Sequence, residues 1–213
     1  MTPEILGLTG AALILCSALP QLRSLLHHSG EGVSVLSWSL LLVNSLVWTS
    51  YGLSIGSLST VVGNVGGAVA FFTVVVSLLY KRTSGWWVPA LVLPASALVF
   101  GLASSLPTAV VGVLGVVLGV SLALPQLLLS YRTLAARLPS SVALGSWVLI
   151  LAGQVLWLIY GLITGELAII AVNVLAGMVS AAVLYLETRH RERDVTGLPD
   201  ADNGEVEVVY VQG

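Results

Sequence analysis

Residues 48–56 read Trp-Thr-Ser-Tyr-Gly-Leu-Ser-Ile-Gly, and residues 157–165 read Trp-Leu-Ile-Tyr-Gly-Leu-Ile-Thr-Gly. Five positions are identical, Leu53 and Leu162 among them. Trp48, Tyr51, Gly52 and Gly56 recur 109 positions later as Trp157, Tyr160, Gly161 and Gly165. Ser37-Trp38 and Asn64 recur at the same interval as Ser146-Trp147 and Asn173. Pro20-Gln21 recurs as Pro125-Gln126, 105 positions on, so the loop that follows is four residues longer in the second copy. The chain is therefore an internal duplication, and the polar residues it repeats are the ones the two halves share.

Composition sets the solvent. Of 213 residues, 57% are hydrophobic and only 8% charged, with net charge −2. Soluble domains carry about a quarter charged residues, so most of this chain faces lipid. No basic patch points to nucleic acid. Cys16 stands alone, which excludes an internal disulfide or a cysteine metal cluster. His27, His28 and His190 fall in polar connections or the tail. The first apolar run lacks a preceding Lys or Arg and carries bulky Leu15 before Cys16, so it reads as a retained helix.

Hydropathy gives seven spans, at 5–22, 33–53, 57–80, 86–104, 107–131, 141–163 and 166–186. Each is near the roughly 20 residues a crossing helix needs. The expected class is an all-α membrane protein of seven transmembrane helices, arranged 3+1+3 as two parallel repeats and a linker. The expected divisions are 1–82 (first repeat), 83–106 (linker helix), 107–187 (second repeat) and 188–213 (disordered cytoplasmic tail). All eight basic residues lie after the odd-numbered spans. The positive-inside rule then puts the N-terminus outside and the C-terminus in the cytoplasm, with the plasma membrane as the expected location.

Trp48 and Asn64 each lie eight residues from Gly56, and Trp157 and Asn173 eight from Gly165. At about 1.5 Å per residue both pairs sit roughly 12 Å deep, near the bilayer midplane. Parallel symmetry brings two indoles and two carboxamides to one level around one axis. An indole covers the apolar face of a sugar ring, and an amide matches hydroxyls with donors and an acceptor. Ser45 and Gln154 correspond one turn before each Trp and are further pocket candidates. Asn44, whose counterpart is Gly153, reads as interhelical glue. Pro20 and Pro125 break a backbone bond within their helices and read as duplicated hinges. The spans hold no midplane carboxylate or histidine for ion coupling, and no catalytic or metal constellation, so an enzyme or a bound cofactor is not expected.

The duplicated Pro-Gln pairs, the Trp-x-x-Tyr-Gly runs and the Asn sixteen residues after each Trp resemble the SWEET sugar transporters. More broadly they resemble the PQ-loop superfamily, which includes the half-size SemiSWEETs. The resemblance covers residues 5–187. It implies a passive carrier of mono- or disaccharides that works by alternating access. It assigns the pocket to Trp48, Asn64, Trp157 and Asn173, with Ser45 and Gln154 lining the same cavity. Tyr51 and Tyr160 match the outer-gate tyrosine, and Pro20-Gln21 and Pro125-Gln126 the bending pairs. Three features depart from the pattern. Spans two and six lack prolines, Ile55 and Thr164 replace the gate arginine, and Ser57 stands where Glu166 repeats. The outer gate is thus expected to close mainly by aromatic contact. A neutral sugar and the lipid bilayer are the expected partners, with a homo-oligomer left open. The alternatives are a proton-coupled amino-acid carrier and a non-transporting receptor or scaffold of the same fold.

Overall fold

The computed structural model describes residues 2–27, 34–138, 140 and 142–196, and side chains outside 19–27 and 194–196. Seven helices account for nearly all of them: α1 Pro3–His27, α2 Val35–Ile55, α3 Leu58–Thr83, α4 Val88–Ser104, α5 Thr108–Ala135, α6 Leu144–Thr164 and α7 Leu167–Thr196. Four of these, α3, α5, α6 and α7, are long and apolar enough to cross a membrane by length and composition alone. α1 and α4 are apolar over shorter stretches, Pro3–Ala18 and Val88–Ser104. α2 is diluted by Asn44, Ser45, Thr49, Ser50 and Ser54, several of which turn inward.

The repeat is visible in how the hairpins turn. Gly56 (φ 69°) ends α2 and Gly165 (φ 75°) ends α6, both in the left-handed region that glycine reaches without strain. Ser57 then caps α3, its side chain accepting from the Thr60 N–H at 3.1 Å. Ser34 caps α2 in the same way through Ser37.

Packing follows a ring. α3 lies between α1 and α2, and α7 lies beside both α5 and α6. α1 packs on α6 and α2 packs on α5, closing the ring, while α4 rests on α2 and α3 from outside. Small residues set the closest approaches. A Cβ on Gly153 would stand 2.9 Å from the Gly10 carbonyl oxygen, so α1 and α6 touch backbone to backbone there. The core sits where the ring closes, with Trp48, Tyr51, Trp157, Tyr160, Val111 and Ile169 in one cluster.

One expected boundary moves. The chain was expected to disorder from 188, yet α7 continues to Thr196, and Glu187 and His190 are only 2% and 1% exposed. Both Glu187 oxygens are held, by Ser130 at 2.5 Å and Ser140 at 2.6 Å. His190 Nε2 lies 3.2 Å from Thr133 Oγ1 and 3.3 Å from the Ser130 carbonyl. Arg193 donates to the Leu134 carbonyl at 3.2 Å. These side chains dock the polar end of α7 onto the end of α5. Residues 197–213 lie outside the described residues.

Candidate functional site

Trp48 from α2, Asn64 from α3, Trp157 from α6 and Asn173 from α7 line one cavity of about 240 Å³. Asn44, Ser45 and Thr60 line it too, with an apolar wall that includes Ala11, Ile14 and Ile169. The four residues expected to converge therefore do line one cavity. The two asparagines hold matching poses. Asn64 Nδ2 donates to the Thr60 carbonyl at 2.9 Å, and Asn173 Nδ2 to the Ile169 carbonyl at 2.8 Å. Each amide spends one donor on its own helix and keeps its oxygen and second N–H for the cavity.

The indoles are seated by glycines. Trp48 packs on Gly115 of α5, and Trp157 on Gly7 and Gly10 of α1. Gly7 and Gly10 recur as Gly112 and Gly115 at the same 105-residue interval as the Pro-Gln pairs. That register is the sequence signal for these supports, and it is hidden because α1 and α5 follow a different interval from the rest of the repeat. Each indole also meets its tyrosine edge to face. Ring centroids are 5.4 Å apart at 80° for Trp48–Tyr51, and 5.2 Å apart at 74° for Trp157–Tyr160.

Two expectations are corrected here. Gln154 is not among the residues lining the cavity. Its Oε1 is buried without a partner and approaches Gly177 of α7 instead. The short Ser45 side chain, packed over Gly67, keeps the cavity position, while its longer counterpart turns aside. Asn44 was expected to be glue, but it lines the cavity and its Oδ1 is buried with no protein partner. A glue residue would have one. At the equivalent place in the other half, Gly153 lets α1 close in, so Asn44 makes the cavity asymmetric.

At the end marked by Gly56 and Gly165 two tyrosines are buried. Tyr51 and Tyr160 are 4% and 2% exposed. Tyr51 Oη donates to Glu166 Oε2 at 2.7 Å, and Tyr160 Oη donates to Ser57 Oγ at 2.7 Å. Both tyrosines are thus held by hydrogen bonds, whereas closure mainly by aromatic contact was expected. Glu166 and Ser57 are repeat partners, so the two bonds are equivalent across the halves. Glu4, which sequence reasoning passed over, also reaches Tyr160 Oη, at 3.3 Å.

Pro125 and Gln126 are not among the residues that line the cavity. Pro125 lies inside α5, and Gln126 Nε2 donates to Ser130 Oγ at 3.2 Å. Pro20 and Gln21 fall within α1, and their side chains lie outside those described. Among the described residues no group of three or more His, Cys, Asp or Glu side chains could hold a metal ion.

No family model matches the chain. A curated sugar transporter, SemiSWEET of Bradyrhizobium diazoefficiens, is 32% identical over 66 residues, covering 31% of this chain and 73% of that protein. Among solved structures, a eukaryotic SWEET transporter determined at 3.7 Å resolution matches with TM-score 0.75. That match covers 90% of this chain and all of the other at 19% identity, which is a likeness of fold.

Proposed function

The chain belongs to the SWEET and SemiSWEET family, and from that premise we propose that it carries a neutral sugar passively across a membrane by alternating access. The observation that carries this reading is the shared cavity, in which Trp48, Asn64, Trp157 and Asn173 present two aromatic faces and two free carboxamide edges. Ring stacking on indole and hydrogen bonds to hydroxyls need no charge on the ligand. Among the described residues the cavity lining contains no Asp, Glu, Lys, Arg or His, which favours an uncoupled carrier over a proton-driven one. Drug-sized pockets run from about 300 to 1,000 Å³. A cavity of about 240 Å³ fits a monosaccharide better than a disaccharide.

All seven helices span the membrane in this reading, with α1–α3 and α5–α7 as the two halves and α4 joining them. The ring order supports it, because the contacts α1–α6 and α2–α5 exchange under the 3+1+3 symmetry. Lys81, Arg82, Arg132 and Arg137 fall at one end of the ring, which becomes the cytoplasmic side. The Gly56 and Gly165 turns then face outward, in the cell's plasma membrane, and the form described is closed on that side. Opening it requires the halves to part across the two tyrosine bonds. Pro20 and Pro125 supply the bend at the opposite end, each lacking one backbone hydrogen bond.

The test is uptake of a panel of labelled sugars into proteoliposomes, with and without a proton gradient. Gradient-independent equilibration of a hexose is expected. Uptake that occurs only with an imposed pH gradient, or of amino acids rather than sugars, overturns the proposal.

A further inference from the structure

The gate at the Gly56 and Gly165 end is short of one acid. Tyr51 closes on a carboxylate, Glu166, but the repeat gives its partner Tyr160 only the hydroxyl of Ser57. We infer that Glu4 is the second gate acid, reaching in from α1 to supply the carboxylate that the repeat leaves out. This rests on the carrier reading above.

Three contacts define the arrangement. Glu4 Oε2 accepts from the Ser59 backbone N–H at 2.5 Å, at the first turn of α3. A carboxylate there completes a helix N-terminus with free donors and a favourable dipole. Glu4 Oε1 faces Tyr160 Oη at 3.3 Å, across the boundary between the halves. Ser57 Oγ, the main acceptor of Tyr160, donates its own hydrogen bond to Thr60 Oγ1 at 2.7 Å, so the chain of donors runs into α3. α1 and α3 belong to one half and α6 to the other. When the halves part, the Ser59 bond stays intact and the Tyr160 bond breaks. Glu4 is therefore held ready by its own half as an acceptor for a tyrosine that arrives from the other.

The position is also chemically marked. All eight Lys and Arg residues fall toward the opposite ends of their helices or, for Arg137, just beyond one. Tyrosine hydroxyls are thus the donors available to the two carboxylates across this gate. Tyr160 has one hydroxyl proton, which goes mainly to Ser57 Oγ at 2.7 Å, with the Glu4 carboxylate at 3.3 Å as its second acceptor.

The experiment measures gate separation directly and needs no sugar, so its failure is distinct from failure of the transport reading. Nitroxide labels at Leu53 and Leu162, which are exposed repeat partners on α2 and α6, are placed in a Cys16→Ser background in nanodiscs. Pulsed spin-label distances then report the closed and open populations. Glu4→Ala is expected to raise the open fraction by about threefold, the scale of one lost hydrogen bond, and Glu4→Gln by less. Tyr160→Phe raises it further, and in that background Glu4→Ala adds nothing. An unchanged distance distribution in Glu4→Ala, with only a lower melting temperature, reduces Glu4 to a cap on α3 and overturns the inference. Additive effects of Glu4→Ala and Tyr160→Phe overturn it too.

Discussion

Trp48 rests against Gly115 so closely that a Cβ on the glycine would stand 2.8 Å from the indole Cε2, and Trp157 meets Gly10 in the same way at 2.9 Å to Cδ1. Real Cβ atoms do not approach that near. Either the indole moves into the cavity or the helices part. Gly115→Ala is expected to push Trp48 inward and weaken sugar binding, raising the half-saturating concentration with modest change in melting temperature. Gly10→Ala is worse placed, because its Cβ also meets the Gly153 carbonyl at 3.0 Å, which cannot swing away. It should cost about 1–3 kcal/mol of stability, the usual penalty of overpacking. Thermal unfolding and ligand titration of the two variants check both halves of this statement.

Asn64→Ala and Asn173→Ala remove carboxamides that make only one protein hydrogen bond each, to their own helix. Nothing else in the described protein depends on them. Each variant should fold and insert normally while uptake falls by about tenfold or more, as expected for one or two lost ligand hydrogen bonds. Unchanged vesicle uptake in both variants removes the assigned pocket.

Asn44→Ala separates two roles that sequence alone confuses. An interhelical bridge would lose a bond and destabilise the bundle. The Asn44 oxygen is instead buried and unpartnered, so its removal relieves a desolvated acceptor. Stability should hold within about 1 kcal/mol because no protein bond is lost, while sugar affinity drops because the residue lines the cavity. Melting temperature and equilibrium binding, measured on the same preparation, check this.

Much of this was legible because duplication fixes depth as well as identity. Trp48, Asn64, Trp157 and Asn173 could be placed together from their spacing to two glycine turns, with no knowledge of how the helices pack. Asn44 could not, because a polar residue without a repeat partner has the same signature whether it glues or binds; only its missing partner in three dimensions decides. Gln154 went the other way: it has a repeat partner in Ser45, but the longer side chain cannot take the same place. Gly7 and Gly10 escaped because the four-residue offset between the loops hides their register with Gly112 and Gly115. Glu4 carried no signal, since its partners Ser59 and Tyr160 are 55 and 156 residues away.

The polar end of α7 was read as tail for a different reason. Hydropathy falls at Glu187, and a window cannot tell a solvated carboxylate from a docked one. Here Glu187 joins α7 to Ser130 of α5 and to Ser140 of the loop beyond it, and Gln126, next to Pro125, donates to the same Ser130. The first half has no equivalent, since the repeat places Leu25 and Leu78 opposite Ser130 and Glu187. Glu187→Ala leaves two serine hydroxyls without their acceptor, Ser130 buried and Ser140 partly so. A loss of about 1–3 kcal/mol is expected, the cost of orphaning buried polar groups. Replacing both ends, as Ser130→Ala with Glu187→Leu, should recover part of that loss, because a pair removed together leaves fewer unpaired groups than one broken. Hydrogen exchange at the end of α5 provides the local measure. Faster exchange at 130–135 in Glu187→Ala, with α1–α3 unchanged, is the expected pattern. Uniform acceleration across all helices would mean that the contact holds up the whole bundle and not one end of one half.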